Sequence, residues 1–265
     1  MSMNPTQSLE AVSSADLDAI ARLTREAGAL IMEVYATDFA VRGKDDASPV
    51  TEADEKAEAL LLKGLAALYP DIPVVAEEAV AAGGVPESVG EQFWLVDPLD
   101  GTKEFISRNG EFTVNVALVR DGQPVLGVVY TPALDRLFAG AQGLGAYVEQ
   151  NGERRAIQVR AVPEAGLTVV GSRSHGDAQA MEAFLGGRKV AEFRSAGSSL
   201  KLCLVAAGEA DLYPRLGRTM EWDIAAGHAV LAAAGGTVRR VDNGAPLTYG
   251  KPGFDNPHFV AAGKQ

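Results

Sequence analysis

Two aspartates, Asp97 and Asp100, stand three positions apart in the stretch W-L-V-D-P-L-D-G-T-K-E-F. The apolar residues before them predict a short buried strand. Pro98 fixes its own φ and lacks an amide donor, so we expect the strand to end at Asp97. Taken alone, an aspartate at a strand end and another in a turn are ordinary turn residues. Two neighbouring carboxylates are also the hard oxygen ligands that divalent cations prefer.

The residues around Asp100 predict a bend that gathers polar groups. Gly101 permits a tight turn, and Thr102 predicts the start of a helix that runs towards Gly110. Such a bend brings both carboxylates and the Leu99 carbonyl to one side of the chain. The free amides of Gly101 and Thr102 face the same space. Oxygen ligands beside backbone amides suit a divalent cation that bridges to a phosphate.

Three further acidic residues stand at element boundaries, where each also has an ordinary structural explanation. Glu77 follows the apolar segment V-V-A, where an acidic pair with Glu78 is typical of a solvated loop. Asp54 lies three residues after Thr51, which is the spacing of a capping box. Asp223 precedes an apolar helix and is predicted to be its N-cap. That role is compatible with metal binding, because a carboxylate offers about four lone-pair sites.

Several spaced motifs carry a resemblance to a known family. D-P-L-D-G-T resembles the signature of the lithium-sensitive, magnesium-dependent phosphatases related to inositol monophosphatase. The continuation K-E-F-I-S-R-N-G-E-F-T-V-N-V-A-L-V is similar to the bacterial 3'(2'),5'-bisphosphate nucleotidases of the CysQ type. S-R-S-H from Ser172, G-S-S-L-K from Gly197 and E-W-D-I-A-A-G-H-A-V from Glu221 agree. The similarity runs from about Ser48 to near the C-terminus, and it is specific because the motifs occur in the right order.

The resemblance implies a role for each candidate residue. The implied ligands of two or three Mg²⁺ ions are Glu77, Asp97, the Leu99 carbonyl, Asp100 and Asp223. The implied catalytic residues, of which the first two orient the attacking water, are Asp54, Thr102 and Glu77. The implied substrate contacts are Gly101, Thr102, Ser172, His175, Ser198, Lys201 and Asp223. Lys201 is expected near the phosphate that is not transferred. The alternative is a solvated lysine beside hydroxyl helix caps.

The implied reaction is magnesium-dependent removal of the 3'-phosphate of adenosine 3',5'-bisphosphate, which yields AMP and phosphate. The resemblance adds 3'-phosphoadenylyl sulfate as a second substrate, a role in sulfur assimilation and inhibition by lithium. An inositol monophosphatase or another sugar phosphatase on the same scaffold is the alternative among enzymes. A catalytically silent nucleotide or metal sensor is the alternative from another class.

Composition limits the partners and the location. The chain of 265 residues is 47% hydrophobic and 22% charged, which is typical of a soluble globular protein. The sequence has no apolar run long enough to span a bilayer and no export signal, so a cytoplasmic location is expected, with peripheral binding to the inner membrane left open by the resemblance. The net charge of −11 argues against a nucleic-acid polymer as partner. Cys203, His228 and His258 are predicted to be structural, and the oligomeric state stays open.

The order of elements predicts two lobes with a boundary near residues 158–163. An α+β lobe over 1–160 contains two helices followed by an antiparallel meander, and an α/β lobe over 161–265 alternates strands and helices. A last helix is predicted over 224–234. The metal-type carboxylates fall in both lobes, and clefts between lobes are common ligand sites. The resemblance implies that the whole is a layered αβαβα sandwich of the sugar phosphatase type.

Overall fold

The helices and strands occupy most of the residues that the computed structural model describes, which are 11–43, 49–84, 86, 88–172 and 178–264. The helices found there are α1 (Ser14–Tyr35), α2 (Glu52–Leu68), α3 (Glu77–Ala81), α4 (Thr102–Ile106), α5 (Ala178–Leu185), α6 (Leu200–Ala206) and α7 (Glu221–Ala233). The strands of the first half are β1 (Val41–Gly43), β2 (Pro49–Thr51), β3 (Val74–Ala76), β4 (Gln92–Asp100), β5 (Thr113–Arg120), β6 (Gln123–Thr131) and β7 (Arg136–Ala141). The remaining strands are β8 (Gly145–Gln150), β9 (Glu153–Ile157), β10 (Leu167–Gly171), β11 (Val190–Ser195), β12 (Leu212–Arg215), β13 (Thr237–Arg240) and β14 (Phe259–Ala262).

The strands form one large sheet, one smaller sheet and a two-stranded ribbon of β1 and β2. The large sheet has the order β3-β4-β5-β6-β7-β8-β9, and only its β3–β4 pair is parallel. The predicted antiparallel meander is therefore confirmed, and it comprises β4 to β9. The smaller sheet has the order β11-β10-β12-β14-β13. It is mixed, since β10 lies parallel to β11 and β12 whereas β14 lies antiparallel to its neighbours.

The apolar run of β4 reflects burial on both faces of the large sheet. Phe93 and Leu95 belong to a core shared with α6 and α7, whereas Trp94 and Val96 belong to a core shared with α1 and α2. Strands that are covered by helices on both sides read as continuous apolar runs. Helix α7 lies very close to β6. A Cβ atom at Gly127 would collide with the carbonyl oxygen of Ala226, so the glycine permits this close approach.

The layers follow one another as α1 and α2, the large sheet, α6 and α7, the smaller sheet, and α5. Helix α7 contacts β5, β6 and β7, while α6 contacts β12 and β14. Leu185 of α5 packs in a small separate core with β10, β12 and β14. This order confirms the expected αβαβα sandwich. The proposed lobe boundary near residues 158–163 stays a prediction. No helix in the described part of the chain is long and apolar enough to cross a membrane.

Two expected element ends are wrong. Strand β4 does not end at Asp97, because it continues to Asp100 through an irregularity in its pairing with β5. Asp97 pairs with Asn115 and Asp100 with Thr113, so two residues of β4 lie opposite one residue of β5, as in a bulge. A bulge accommodates Pro98 without loss of the strand. Helix α4 ends at Ile106 rather than near Gly110.

Candidate active site

A cavity of about 230 Å³ lies where the C-terminal end of β4 meets the first residues of α3, α4, α6 and α7. It brings together predicted site residues from both halves of the chain, namely Glu77, Asp100, Gly101, Thr102, Ser172, Ser198, Lys201 and Asp223. The predicted substrate residue His175 lies outside the described residues. The roles assigned to all of these residues remain predictions, but their meeting in one cavity is observed.

Asp54 makes the contacts expected both of a capping-box residue and of the partner of Thr102. The amide and hydroxyl of Thr51 donate to Asp54 Oδ2 at 2.8 and 2.7 Å, which completes the predicted capping box of α2. The hydroxyl of Thr102 donates to the other oxygen, Oδ1, at 3.3 Å. Burial raises the pKa of the Asp54 carboxyl, the hydrogen bonds from Thr51 oppose this rise, and the negative Glu77 adds to it. The predicted partnership of Asp54 and Thr102 therefore exists as a contact.

Asp97 lies at the centre of the acidic group. It is 1% exposed, and its Oδ1 accepts a hydrogen bond from the Leu99 amide at 3.0 Å across the bulge. Burial raises the pKa of this carboxyl well above its usual value. The negative charges of Glu77, Asp100 and Asp223 raise the pKa further. A bound cation would neutralise the Asp97 carboxylate and so remove the free-energy cost of burying its negative charge beside three others.

Asp100 is held by residues that the sequence analysis did not identify. The Ser199 amide donates to Asp100 Oδ2 at 2.7 Å. The Ser199 hydroxyl in turn lies 2.6 Å from Asn115 Oδ1 and 2.9 Å from the Thr113 hydroxyl, which forms a buried polar network on β5. Burial raises the pKa of Asp100 to about 6, while positive Lys201 and the Ser199 amide oppose the rise.

The prediction that Asp223 is the N-cap of α7 is wrong. The N-cap is Met220, and Asp223 is the third residue of the helix. Its Oδ2 accepts a hydrogen bond from the Met220 amide at 2.8 Å, so it caps the helix from inside the first turn. Burial raises the pKa of Asp223 well above its usual value, the charges of Asp100 and Glu77 add to this, and the Met220 amide opposes it.

Glu77 is the first residue of α3, whose N-terminus is capped by a side chain from another helix. Glu58 of α2 is 5% exposed and accepts hydrogen bonds from the amides of Glu78 and Ala79, both at 2.8 Å. The sequence analysis missed Glu58. The available signal was its position four residues after Asp54, which places both carboxylates on one face of α2.

Ser198 and Lys201 are engaged with the backbone around the cavity. The Ser198 hydroxyl lies 2.8 Å from the Asp100 carbonyl and 2.9 Å from the Glu111 carbonyl. Lys201 Nζ donates to the carbonyls of Ser198 and Ala196 at 2.6 and 3.2 Å. Lys201 is 4% exposed, so the alternative of a solvated lysine is wrong. Burial lowers the pKa of its ammonium to about 8, and Asp100 opposes that change.

The donor set fits a divalent cation. Among the described residues, no three Asp, Glu, His or Cys side chains already stand close enough together to hold a metal ion. The charges of Glu77, Asp100 and Asp223 nevertheless raise the pKa of Asp97, and the charges of Asp100 and Glu77 raise the pKa of Asp223. Buried carboxylates that repel one another around a cavity are the oxygen ligands that Mg²⁺ prefers, and binding of the ion would draw them together.

Two residues predicted to be structural are placed in the core. Cys203 is fully buried in α6, and no cysteine partner exists for it in the sequence. His228 is 6% exposed, and its Nδ1 lies 2.8 Å from the Tyr249 hydroxyl. Burial lowers the pKa of His228 to about 3. Both predictions are confirmed.

The sequence profile of the inositol monophosphatase family matches residues 13–262. The chain belongs to this family. The 3'(2'),5'-bisphosphate nucleotidase CysQ of Escherichia coli O157:H7 is 50% identical over 247 residues, which are 92% of this chain and 98% of that protein. CysQ of Buchnera aphidicola is 42% identical and covers 93% of both chains. The resemblance inferred from the spaced motifs is therefore confirmed.

Solved structures of family members share the fold. CysQ of Bacteroides thetaiotaomicron superposes with a TM-score of 0.78 at 37% identity and covers 94% of this chain and 97% of its own. An inositol monophosphatase from Anabaena (Nostoc) superposes with a TM-score of 0.71 at 30% identity and covers 94% and 89%. Members of the family generally depend on a metal ion, which agrees with the donor set described above.

Proposed function

We propose that the chain is a magnesium-dependent 3'(2'),5'-bisphosphate nucleotidase that removes the 3'-phosphate of adenosine 3',5'-bisphosphate, giving AMP and phosphate. The observation that carries the proposal is the Thr102–Asp54 hydrogen bond of 3.3 Å at the edge of a cavity lined by carboxylates. Similarity to relatives named bisphosphate nucleotidases supports the choice of substrate. A cytoplasmic location is part of the proposal, supported by the single buried cysteine.

The carboxylates divide into two sets of proposed magnesium ligands. One set consists of Glu77, Asp97 and the Leu99 carbonyl. The other consists of Asp97, Asp100 and Asp223. These residues would hold magnesium, which would supply an activated water and would neutralise charge on the phosphate and the leaving oxygen. A third ion is compatible with the proposal, which does not depend on the number of ions.

Thr102 and Asp54 orient and deprotonate the attacking water. The Thr102 hydroxyl donates its hydrogen to Asp54, so its lone pairs are left to accept a hydrogen bond from water. Asp54 has a raised pKa, which makes its carboxylate a better base near neutral pH than an exposed aspartate. The water oxygen bonds to phosphorus as the bond from phosphorus to the ribose 3'-oxygen breaks. The water proton passes through Thr102 to Asp54, and the ribose oxygen takes a proton from solvent.

The turn at Gly101 positions the reacting phosphate. Gly101 has a φ of +92°, and a Cβ atom there would collide with the Ser198 hydroxyl oxygen. Only glycine combines this conformation with so close an approach. The amides of Gly101 and Thr102 are proposed to hold phosphate oxygens. Catalysis then consists of positioning and charge neutralisation, without a covalent phosphoenzyme.

A side-by-side panel of phosphate esters tests the function. Initial rates are measured with Mg²⁺ on adenosine 3',5'-bisphosphate, 3'-phosphoadenylyl sulfate and inositol 1-phosphate, with a lithium titration on the best substrate. We expect the highest kcat/KM for adenosine 3',5'-bisphosphate. A clear preference for inositol 1-phosphate would establish the sugar phosphatase alternative. Binding of the nucleotide without turnover of any ester would establish the silent sensor.

A further inference from the structure

A cavity of about 210 Å³, here called the remote cavity, lies at the opposite end of β4 from the acidic cavity. Strand β4 begins at Gln92, which lines the remote cavity, and ends at Asp100, which lines the acidic one. Eight residue steps along a strand span about 26 Å, so the two cavities are separate sites. The remote cavity is enclosed by the start of α1, the segment after α2 and side chains of β4, β5 and β6.

The floor of the remote cavity is the face of the large sheet that α1 and α2 cover. Trp94 lies on this face and pairs across the strands with Leu118, while Gln92 pairs with Arg120. Leu118 pairs in turn with Leu126 of β6. Residues two apart on a strand share a face, so all five side chains point towards the same layer. The floor therefore combines aromatic, aliphatic, amide and guanidinium groups.

Two polar atoms of this floor are buried without a hydrogen-bond partner. Trp94 is 1% exposed, and its Nε1 has no acceptor in the part of the chain that the structure describes. The amide oxygen of Gln92 is also buried and has no donor there. Leaving a buried polar group unpaired is costly. The remote cavity thus offers one N–H donor and one oxygen acceptor to a ligand.

The charged residues of the remote cavity do not favour an ion. Asp16 and Arg120 both line the cavity, and their opposite charges add no net charge to it. Asp16 is also engaged, because its oxygens accept hydrogen bonds from the Tyr69 hydroxyl at 2.7 Å and from the Ser13 amide at 2.9 Å. A neutral ligand avoids the cost of removing a charge from water.

The size and the walls of the remote cavity suit one aromatic ring. The rings of Tyr69 and Trp94 lie 5.2 Å apart between centroids, and Val12 and Ile72 add aliphatic surface. An apolar cavity of about 150 Å³ is large enough to bind benzene. The remote cavity, at about 210 Å³, has room for a ring that carries one small substituent.

We propose that the remote cavity is a binding site for a neutral aromatic or heteroaromatic amide. The amide oxygen of such a ligand accepts the hydrogen bond from Trp94 Nε1, and its N–H group donates to the Gln92 oxygen. The ring packs against the aliphatic side chains. One planar group thus satisfies both buried atoms, which neither a hydrocarbon nor a carboxylate does. This site is independent of the phosphatase reaction proposed for the acidic cavity.

Three probes that share one ring and differ in one group test this site in the full chain. Benzamide carries an acceptor and a donor, benzoate carries two acceptors and a negative charge, and toluene carries neither. The chain contains two tryptophans, so a proton–nitrogen correlation spectrum shows two indole signals. The signal that is absent in Trp94→Phe belongs to Trp94. We expect benzamide to shift this signal and to bind about 10-fold more tightly than benzoate or toluene, because only benzamide forms both hydrogen bonds.

Gln92→Leu removes the acceptor and keeps a side chain of similar size. We expect the preference for benzamide over toluene to fall by about 3-fold or more, because one of the two hydrogen bonds is lost. The matched control is Gln123→Leu. Gln123 is exposed at the start of β6 in the same sheet and lines neither cavity, so its substitution should leave the preference unchanged.

Three outcomes would overturn the proposal. The first is a Trp94 signal that does not move at the solubility limit of benzamide, which would mean that the chain itself fills the cavity. The second is tighter binding of benzoate, which would show that Arg120 makes this a site for anions. The third is equal binding of benzamide and toluene, or a preference that survives Gln92→Leu. Either result would show that the buried polar atoms do not recognise the ligand.

Discussion

The negative charges of three other carboxylates act on Asp97. Replacing one of its carboxylate oxygens by an amide nitrogen separates its proposed role in metal binding from its role in the fold. Asp97→Asn keeps the shape of the side chain and an oxygen for the Leu99 amide. It removes the charge that both proposed magnesium sites share. We expect turnover of adenosine 3',5'-bisphosphate at saturating Mg²⁺ to fall by about 1000-fold or more, since metal activation contributes several kcal/mol. Initial-rate measurements check this.

The control for Asp97→Asn is Asp121→Asn. Asp121 lies in the exposed hairpin turn between β5 and β6 with a φ of +50°, which asparagine also tolerates. Its substitution should leave the rate unchanged. An Asp97→Asn variant that is as active as the wild type would rule out the shared-ligand arrangement.

His228 gives the fold a pH dependence that is independent of the acidic group. Its pKa of about 3 in the folded chain lies below the ordinary value near 6.5. Between these values the unfolded chain binds a proton that the folded chain does not, so stability is lost as the pH falls below about 6.5. At pH 5 the loss is about 2 kcal/mol.

Urea unfolding at pH 7.5 and pH 5 measures this loss. His228→Asn keeps a group that can hydrogen bond to the Tyr249 hydroxyl but does not titrate in this range. We expect the wild type to lose about 2 kcal/mol more than the variant between the two pH values, because all other groups are common to both. Equal losses in the two proteins would show that His228 is protonated in the folded state.

Residues within one motif were predictable from the sequence, whereas partners from distant segments were not. The meeting of Asp54 and Thr102, which are 48 positions apart, was expected from the resemblance to the family and not from local spacing. Ser199, whose amide holds Asp100, is 99 positions away from it, and no local pattern indicates that contact.

At the scale of elements, helix α2 positions two parts of the proposed site at once. Asp54 in its first turn binds Thr102, and Glu58 one turn later caps α3, which begins with Glu77. Hydrogen bonds to a charged acceptor are stronger than those to a neutral one. Glu58 is therefore a positioning residue for Glu77.

Glu58→Gln tests that coupling. Glutamine has one carbonyl oxygen for two amide donors, so one hydrogen bond is lost and the other weakens. We expect a loss of about 1.5 to 3 kcal/mol in stability and a higher magnesium concentration for half-maximal rate. The matched control is Glu55→Gln, because Glu55 lies in the same helix but pairs on the surface with Arg42. Identical magnesium dependence in the two variants would exclude a positioning role for Glu58.

Element positions were predictable where periodicity or capping is local, and less so where pairing across the sheet decides. The first residues of α1 and α2 directly follow the N-caps of their capping boxes, Ser13 and Thr51. Strand β4 passes Pro98 because pairing with β5 continues beyond a bulge, which the sequence of β4 alone does not encode. The start of α7 was placed three residues late, since Asp223 caps the helix from its third position.

For the whole molecule, the central fact is that the acidic residues come from different layers. Asp97 and Asp100 belong to the large sheet, Glu77 to α3 at the edge of that sheet, and Asp223 to α7 between the two sheets. Their mutual repulsion therefore acts between layers that the apolar cores hold together. Cations bound by these two ligand sets, which share Asp97, would link the layers and raise the stability of the entire fold.

Magnesium should accordingly raise the thermal stability of the full chain. A ligand at about 100 times its dissociation constant adds about 2.7 kcal/mol to the free energy of unfolding. For a chain of this size that corresponds to an increase in Tm of about 5 to 10 °C. Thermal unfolding in EDTA and with excess Mg²⁺ measures this increase.

The Asp97→Asn variant is the control for the magnesium effect. Its Tm in EDTA should equal or exceed that of the wild type, because repulsion between carboxylates is relieved. The increase in Tm with Mg²⁺ should be lost. A wild-type Tm unchanged by Mg²⁺, Mn²⁺ and Ca²⁺ would mean that the carboxylates do not form a metal site.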